Sequence, residues 1–255
     1  MTLRFAALGS GSRGNALLVE LGNTLLMVDC GLSLKAVEER MSRLERKPPD
    51  VSAILVTHEH ADHIQGVARF ANRWGTRVFM TPGTASAPAA KGISRLRTVN
   101  CHRAFEIESI SVQPFPVPHD AREPCQFAFS GAGRRLGMLT DTGHVTSHIS
   151  ETLSRCDALA IESNHDVEML RTGPYPAPVK QRVASSVGHL NNLQAADLLE
   201  RIAHDELQWV VALHISEQNN SRDEVRAALS DAISDPEDRL HLAEQNAPTD
   251  WFEIV

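Results

Sequence analysis

The chain has 255 residues, 42% of them hydrophobic and 22% charged, with a formal net charge of −7. A chain of this length and composition can bury a large core, and it holds no biased tract, which excludes a disordered or fibrous protein. The acidic balance argues against loose, charge-driven binding to nucleic acid, which needs a basic surface, but leaves room for a local cationic or metal-bearing cleft.

In chain order, the apolar run after Met1 is too short for a secretory signal, and no later run approaches the roughly 20 residues of a membrane span. The expected location is therefore the cytoplasm, away from membranes. Residues 24–28, "TLLMV", and 53–56, "AILV", read as buried strands. Between them Leu34, Val37, Met41 and Leu44 recur at spacings of three and four, one face of a helix. A second helix is expected to begin at Asp62 and run through "DHIQGVARFANRW". From Phe105 to Val117 apolar residues recur nearly every second position, and "QFAFSGAGRRLGMLTD" reads as strand, turn, strand. The remainder alternates: a helix near 145–156, a strand at 157–163, a helix at 193–204, a strand at 207–214, a helix at 222–234 and a short β tail.

These stripes are all buried if the chain forms one domain over residues 1–255, a four-layer αββα sandwich of two mixed β-sheets with helices on the outer faces. Between Glu162 and His189 the sequence carries Gly and Pro punctuation and reads as a long structureless loop, the kind that is usually functional. Its stretch from Arg171 to His189 contains Arg171, Lys180 and Arg182 and no acid, a cationic patch in an acidic chain. Cys30, Cys101, Cys125 and Cys156 stand far apart with no C-x-x-C pair and are expected to pack rather than to form disulfides or thiolate sites.

The stretch "THEHADH" places His58, His60, Asp62 and His63 within six residues directly after a strand. On extended backbone, residues two apart project to the same side, so His58 and His60 can hold one cation. A helical turn aims Asp62 and His63 at a neighbouring point, where they can hold a second. Imidazole with carboxylate suits zinc and similar metals, whereas calcium or magnesium calls for oxygen ligands. Further ligands must come from other strand ends, and His119, Asp141 and His214 each follow an apolar run.

These residues, together with "MVDCG" around Asp29, resemble the metallo-β-lactamase superfamily over nearly the whole chain. "LGSGSRGN", "IESNHD", "VGHLNN" and "LHISEQNN" resemble more specifically its YycJ/WalJ subgroup, whose members are DNA exonucleases. The resemblance implies a dinuclear site in which His58, His60 and His119 hold one metal, Asp62, His63 and His214 hold the other, and Asp141 bridges them. It also implies that Asp29 supports the histidine turn from behind. His60 stands where the flavodiiron oxidoreductases of the superfamily carry glutamate, which favours hydrolysis over redox chemistry.

Two divalent ions, Zn²⁺ first with Mn²⁺ or Fe as alternatives, would then generate a bridging hydroxide that attacks a phosphodiester. Asp62, His189 and Glu162 are the residues expected to carry the chemistry: His189 protonates the leaving oxygen, and Glu162 keeps it protonated. Arg13 in the Gly-rich loop, Lys180, Arg182 and Asn164 are candidates for substrate contact. The expected function is a nuclease acting on nucleic acid, DNA favoured over RNA, in the 5′-to-3′ direction. A thioester or small-diester hydrolase of the same superfamily, and a non-catalytic, metal-stabilised partner of a signalling system, are the alternatives. Oligomeric state is open and admits a homodimer.

Overall fold

The computed structural model describes residues 1–255. The apolar runs become β1 (Leu3–Gly9), β2 (Ala16–Leu21), β3 (Thr24–Val28), β4 (Val51–Leu55), β5 (Arg77–Met80) and β6 (Leu96–Thr98) in a first sheet. A second sheet contains β7 (Phe105–Ile107), β8 (Ile110–Pro116), β9 (Cys125–Gly131), β10 (Arg134–Leu139), β11 (Ala158–Glu162), β12 (Trp209–Leu213) and β13 (Leu240–Leu242). The last strand, β14 (Phe252–Ile254), returns to the first sheet beside β1. Helices α1 (Leu34–Arg43), α2 (Ala61–Ile64), α3 (Val67–Trp74) and α4 (Pro82–Ala85) fall in the first half of the chain. In the second half are α5 (Ser147–Leu153), α6 (Val167–Thr172), α7 (Ala177–Val183), α8 (Asn192–Ile202), α9 (Arg222–Ser230) and α10 (Pro236–Arg239).

Strand periodicity builds the layers. Along β1, Leu3, Phe5 and Ala7 face the second sheet, where Phe127 and Phe129 of β9 meet them, while Ala6 and Leu8 face α1 and α3 through Val37, Met41 and Phe70. The second sheet repeats the arrangement, with Ile161 of β11 and Val210 of β12 packed on Ile149, Leu198 and Val225 of α5, α8 and α9. Three apolar seams therefore separate four layers, in the order helices, sheet, sheet, helices. Each fully buried Leu, Ile or Phe contributes about 1.5–3 kcal/mol of transfer free energy to these seams.

Both sheets run through three antiparallel pairings and then three parallel ones. Parallel pairing brings the carboxyl ends of neighbouring strands to one edge, the usual place for a site in α/β sheets. Asp29 leaves β3 there, and the histidine turn follows β4. Asp141, Glu162 and His214 stand at the ends of β10, β11 and β12, and His119 follows β8. Asp29, Asp141 and His214 all have positive φ, at 59°, 51° and 51°. For non-glycine residues that conformation is uncommon and costs about 1–3 kcal/mol when held by its surroundings, and it clusters at functional sites.

Two expectations need correction. The helix expected from Asp62 to Trp74 is two pieces, because the Gly66 amide donates to the Cys30 carbonyl and the Asp62 carbonyl accepts from the Asn15 amide, each at 2.8 Å, so the helical bond between them is not made. The segment 162–189 is not structureless, since it contains α6 and α7. Each buries a single apolar residue, Leu170 and Val183, so no amphipathic stripe marks them in the sequence. Their ends are locally encoded: the Asp166 carboxylate accepts from the Met169 amide at 2.8 Å, and Pro176 fixes the entry to α7. All four cysteines are buried and unpaired, as expected. No helix is long and apolar enough to cross a membrane.

Candidate metal centre

The turn after β4 is held from behind by Asp29. Its Oδ1 accepts from the Thr57 amide at 2.8 Å, and its Oδ2 accepts from Thr57 Oγ1 and from His63 Nδ1, each at 2.8 Å. The bond to Nδ1 fixes the tautomer of His63 and turns Nε2 forward, where it lies 3.2 Å from Asp141 Oδ2 and 3.4 Å from Asp62 Oδ2. Gly31 makes this approach possible, since a Cβ on it would sit 1.7 Å from the Asp62 carbonyl oxygen.

Two other histidines are oriented in the same way. Nδ1 of His119 donates to the Gly188 carbonyl at 3.0 Å, leaving Nε2 3.2 Å from His60 Nδ1. Nδ1 of His58 contacts Thr57 Oγ1 at 2.9 Å, and its Nε2 is buried with no partner. His214 Nε2 points at Asp62 Oδ2, 3.3 Å away, and at Asp141 Oδ1, 3.6 Å away. Its backbone amide donates to Ser10 Oγ at 2.8 Å.

Candidate ligand atoms fall within 4.8 Å of one another in four overlapping sets: His58, His60 and His119; Asp62, His63 and His214; His58, His63 and Asp141; and Asp141, Glu162, His189 and His214. The orphaned atoms test whether cations belong here. His58 Nε2 and Asp141 Oδ2 are buried without a hydrogen-bond donor or acceptor, which is costly unless something else satisfies them. A lone imidazole nitrogen and a lone carboxylate oxygen, both aimed into a ring of imidazoles, fit divalent metal ions and fit little else.

The fourth set mixes two roles. Glu162 is fully buried and already saturated: Oε1 accepts from His189 Nδ1 at 2.7 Å, and Oε2 accepts from the Thr142 and Leu190 amides at 3.2 and 3.1 Å. Its carboxylate holds His189 in place and has no oxygen to spare for a cation. His189 has no such saturation, and its Nε2 opens onto a cleft of about 200 Å³ shared with Asp62, Asp141 and His214.

The electrostatics follow from this crowding. Burial pushes the His58 imidazole well below its ordinary value, and His63 adds to that shift. Burial opposes the charged form of His63 and His214 as well, yet Asp141 and its neighbouring carboxylates outweigh it, raising His63 well above the usual range and His214 to about 9. Asp62 moves the other way: burial opposes its charge, but His214 and His63 hold it far below the usual carboxylate range. For His189, burial is outweighed by the charge and hydrogen bond of Glu162, and its proton is held more tightly than in water.

The remaining expected residues divide. Arg182 lines the cleft and lies 3.6 Å from Asp120. Asn164 lines it too and donates through Nδ2 to the His214 carbonyl at 2.9 Å. Lys180 points away, with Nζ donating to the Arg171 carbonyl at 2.8 Å. Arg13 is turned outward into a 2.8 Å ion pair with Glu217, and Ser12 of its loop lines the cleft instead.

Three contributors were not expected. Asn15 reaches the centre from the Gly-rich loop, with Nδ2 3.3 Å from Asp62 Oδ2 and 3.2 Å from His63 Nε2. Thr57 couples Asp29 to two histidines. Asp120 places Oδ1 3.4 Å from His119 Nε2. The glycine density of the loop was its signal, since Gly14 and Gly31 pack backbone to backbone beneath the turn.

Residues 24–215 match the family described as the β-lactamase superfamily domain. The chain belongs to the metallo-β-lactamase superfamily. Within the metallo-β-lactamase superfamily it is similar to the exodeoxyribonuclease YycJ of Bacillus anthracis, at 38% identity over 92% of this chain and 90% of the relative. It is also similar to the exodeoxyribonuclease WalJ of Streptococcus pneumoniae serotype 2, at 34% identity over 86% of this chain and 84% of the relative. The metallo-β-lactamase fold protein YhfI of Bacillus subtilis superposes over 98% of this chain and 100% of its own, with a TM-score of 0.74 at 12% identity. This fold, together with the His and Asp clusters, supports the binding of divalent metal.

Proposed function

We propose that the protein is a metal-dependent phosphodiesterase acting on nucleic acid, a 5′-to-3′ exonuclease of DNA. Seven side chains from the ends of strands in both sheets converge with a buried Glu162–His189 pair beside them, and this arrangement carries the reading. Its similarity to relatives named exodeoxyribonucleases supports DNA over RNA.

On this reading His58, His60 and His119 would hold one ion, Asp62, His63 and His214 would hold a second, and Asp141 would serve as a further ligand, with zinc as the first candidate and manganese or iron as alternatives. When bound, such ions supply an activated water and neutralise charge on the phosphate. The protein's own part is positional. Asp29, Asn15 and the Gly188 carbonyl fix the rings before substrate arrives. Arg182 at the cleft wall offers a guanidinium to the phosphate backbone. His189, protonated and oriented by Glu162, delivers a proton from Nε2 to the departing oxygen.

The test is an assay of metal-loaded protein on single-stranded DNA and RNA of one sequence, beside a thioester and a small phosphodiester. The reading predicts shortening of DNA from its 5′ end. Hydrolysis of the thioester with no cleavage of any phosphodiester would replace it with the thioesterase alternative.

A further inference from the structure

Beside the metal cleft lies a second hollow of about 400 Å³. This volume is within the range of about 300–1,000 Å³ usual for small-ligand sites. His189 is the residue the two hollows share. Helix α7 forms the rest of the partition: Val179, Arg182 and Val183 face the metal cleft, while Lys180, Gln181 and Ala184 face the second hollow.

The lining has a definite chemistry. Arg171 and Lys180 supply two cations and no carboxylate lines the hollow, in a chain whose net charge is −7. Glu168 engages Nε and one Nη of Arg171, and Lys180 uses one proton on the Arg171 carbonyl. Of the eight N–H donors on the two side chains, several therefore remain for an anion. Val167 and Leu170 form an apolar floor, with Val167 49% exposed. Buried His165 completes the wall: its Nδ1 donates to Asn164 Oδ1 at 3.3 Å, which leaves Nε2 as an acceptor toward the hollow. An anionic group, a flat or apolar body and a hydrogen-bond donor are what such a wall recognises, and a nucleotide has all three.

We propose that this hollow holds the 5′-terminal nucleotide of the strand, with its terminal phosphate on Arg171 and Lys180 and its base over Val167 and Leu170. The inference rests on the exonuclease reading and on His189 as the proton donor. In the step it implies, a water oxygen bonds to the phosphorus between the first and second nucleotides. The bond from that phosphorus to the 3′ oxygen of the first nucleotide breaks, and this oxygen takes the proton of His189 Nε2. The proton lost by the water passes to solvent, and His189 regains one from it. One nucleoside 5′-phosphate leaves with a 3′ hydroxyl, and the shortened strand carries a new 5′ phosphate ready for the next cycle. Because His189 stands between the hollows, the departing nucleotide falls on the Arg171 side.

Two exposed positions test this without touching the metal centre. Arg171→Glu reverses a charge, and Ala184→Trp fills the hollow. With metal-loaded protein, kcat/KM is compared for DNA strands differing only in a 5′ phosphate or 5′ hydroxyl. Wild type should prefer the phosphate by about tenfold or more, the equivalent of one charge-assisted hydrogen bond, and each variant should reduce the preference to within about twofold. A wild-type ratio near one, or an unchanged ratio in both variants, overturns the proposal while leaving the exonuclease reading intact. Titration with thymidine 5′-monophosphate gives a second readout independent of turnover. Binding weakened about tenfold in both variants supports the hollow as a nucleotide site, and equal binding in wild type and variants overturns it. If wild type degrades no strand, the exonuclease reading fails and this titration decides the hollow alone.

Discussion

Glu162 Oε1 and His189 Nδ1 are 2.7 Å apart, with the carboxylate fully buried and anchored by two backbone amides. The imidazole is thereby committed to one orientation, in which Nε2 is the atom presented to the cleft. A ring held in this way can exchange a proton with substrate without searching for a rotamer, which is the geometric requirement for acid–base catalysis.

Replacement of His189 by Ala should lower kcat on a phosphodiester by about 10²–10⁴-fold, the usual share of a positioned acid. Metal content should stay at the wild-type level, because the seven candidate ligands keep their own partners. Elemental analysis alongside the assay checks this, and turnover at the wild-type rate would remove the assignment.

Asp29→Asn should weaken metal binding by about 10–100-fold, the typical cost of losing a carboxylate behind a ligating histidine. The amide can still accept through one oxygen, but it no longer stabilises the His63 N–H with a full charge. Competition with a chromogenic chelator measures the change, and affinity equal to wild type would mean that Asp29 serves folding alone.

Gly31→Ala should cost at least the upper part of the about 1–3 kcal/mol range for overpacking, because the new methyl would meet backbone rather than a yielding side chain. The urea midpoint should fall and metal affinity should fall with it, since the displaced first turn of α2 carries Asp62 itself. A variant as stable as wild type would show that the turn relaxes freely.

Glu20 provides a pH test remote from the metal centre. Burial pushes its carboxyl up, but hydrogen bonds from Arg46 and Arg4, at 2.8 and 2.6 Å, outweigh that and leave it below its ordinary value of 4.5. A folded-state value below the unfolded one means stability that is fully present above 4.5 and is lost as pH falls through the lower, folded value. Denaturation of wild type and Glu20→Gln should therefore differ most near neutrality and converge in acid. A gap that is constant from pH 7 to pH 3 would contradict the sign.

Much of the architecture was legible because β3 and β4 are short continuous apolar runs, β7 and β8 alternate nearly every second residue, and α1 carries apolar residues at spacings of three and four. The density of imidazoles after β4 likewise located the centre, since nothing in packing calls for His58, His60, Asp62 and His63 together. Other features lay beyond a linear reading. Asn15 and Asp120 are ordinary polar residues whose role comes only from the fold, which brings the loop after β1 onto the turn after β4 and sets Asp120 beside His119 and His60. Helices α6 and α7 are too short and too exposed to leave a stripe. Arg13 looked like a phosphate ligand by its glycine neighbours, but the glycines serve a backbone crossing and its guanidinium has Glu217. Glu20 was hidden in an otherwise apolar strand because its two arginine partners, Arg4 and Arg46, are distant in the chain.

The central claim is that imidazoles and carboxylates from both sheets clamp a pair of divalent ions. Isothermal titration of metal-stripped protein with Zn²⁺, read together with anomalous scattering from a loaded crystal, tests it most directly. The account predicts two ions per chain, one among His58, His60 and His119, the other among Asp62, His63 and His214, with Asp141 touching both. No ion at these residues, or a single ion that leaves His58 Nε2 or Asp141 Oδ2 without a partner, would contradict it.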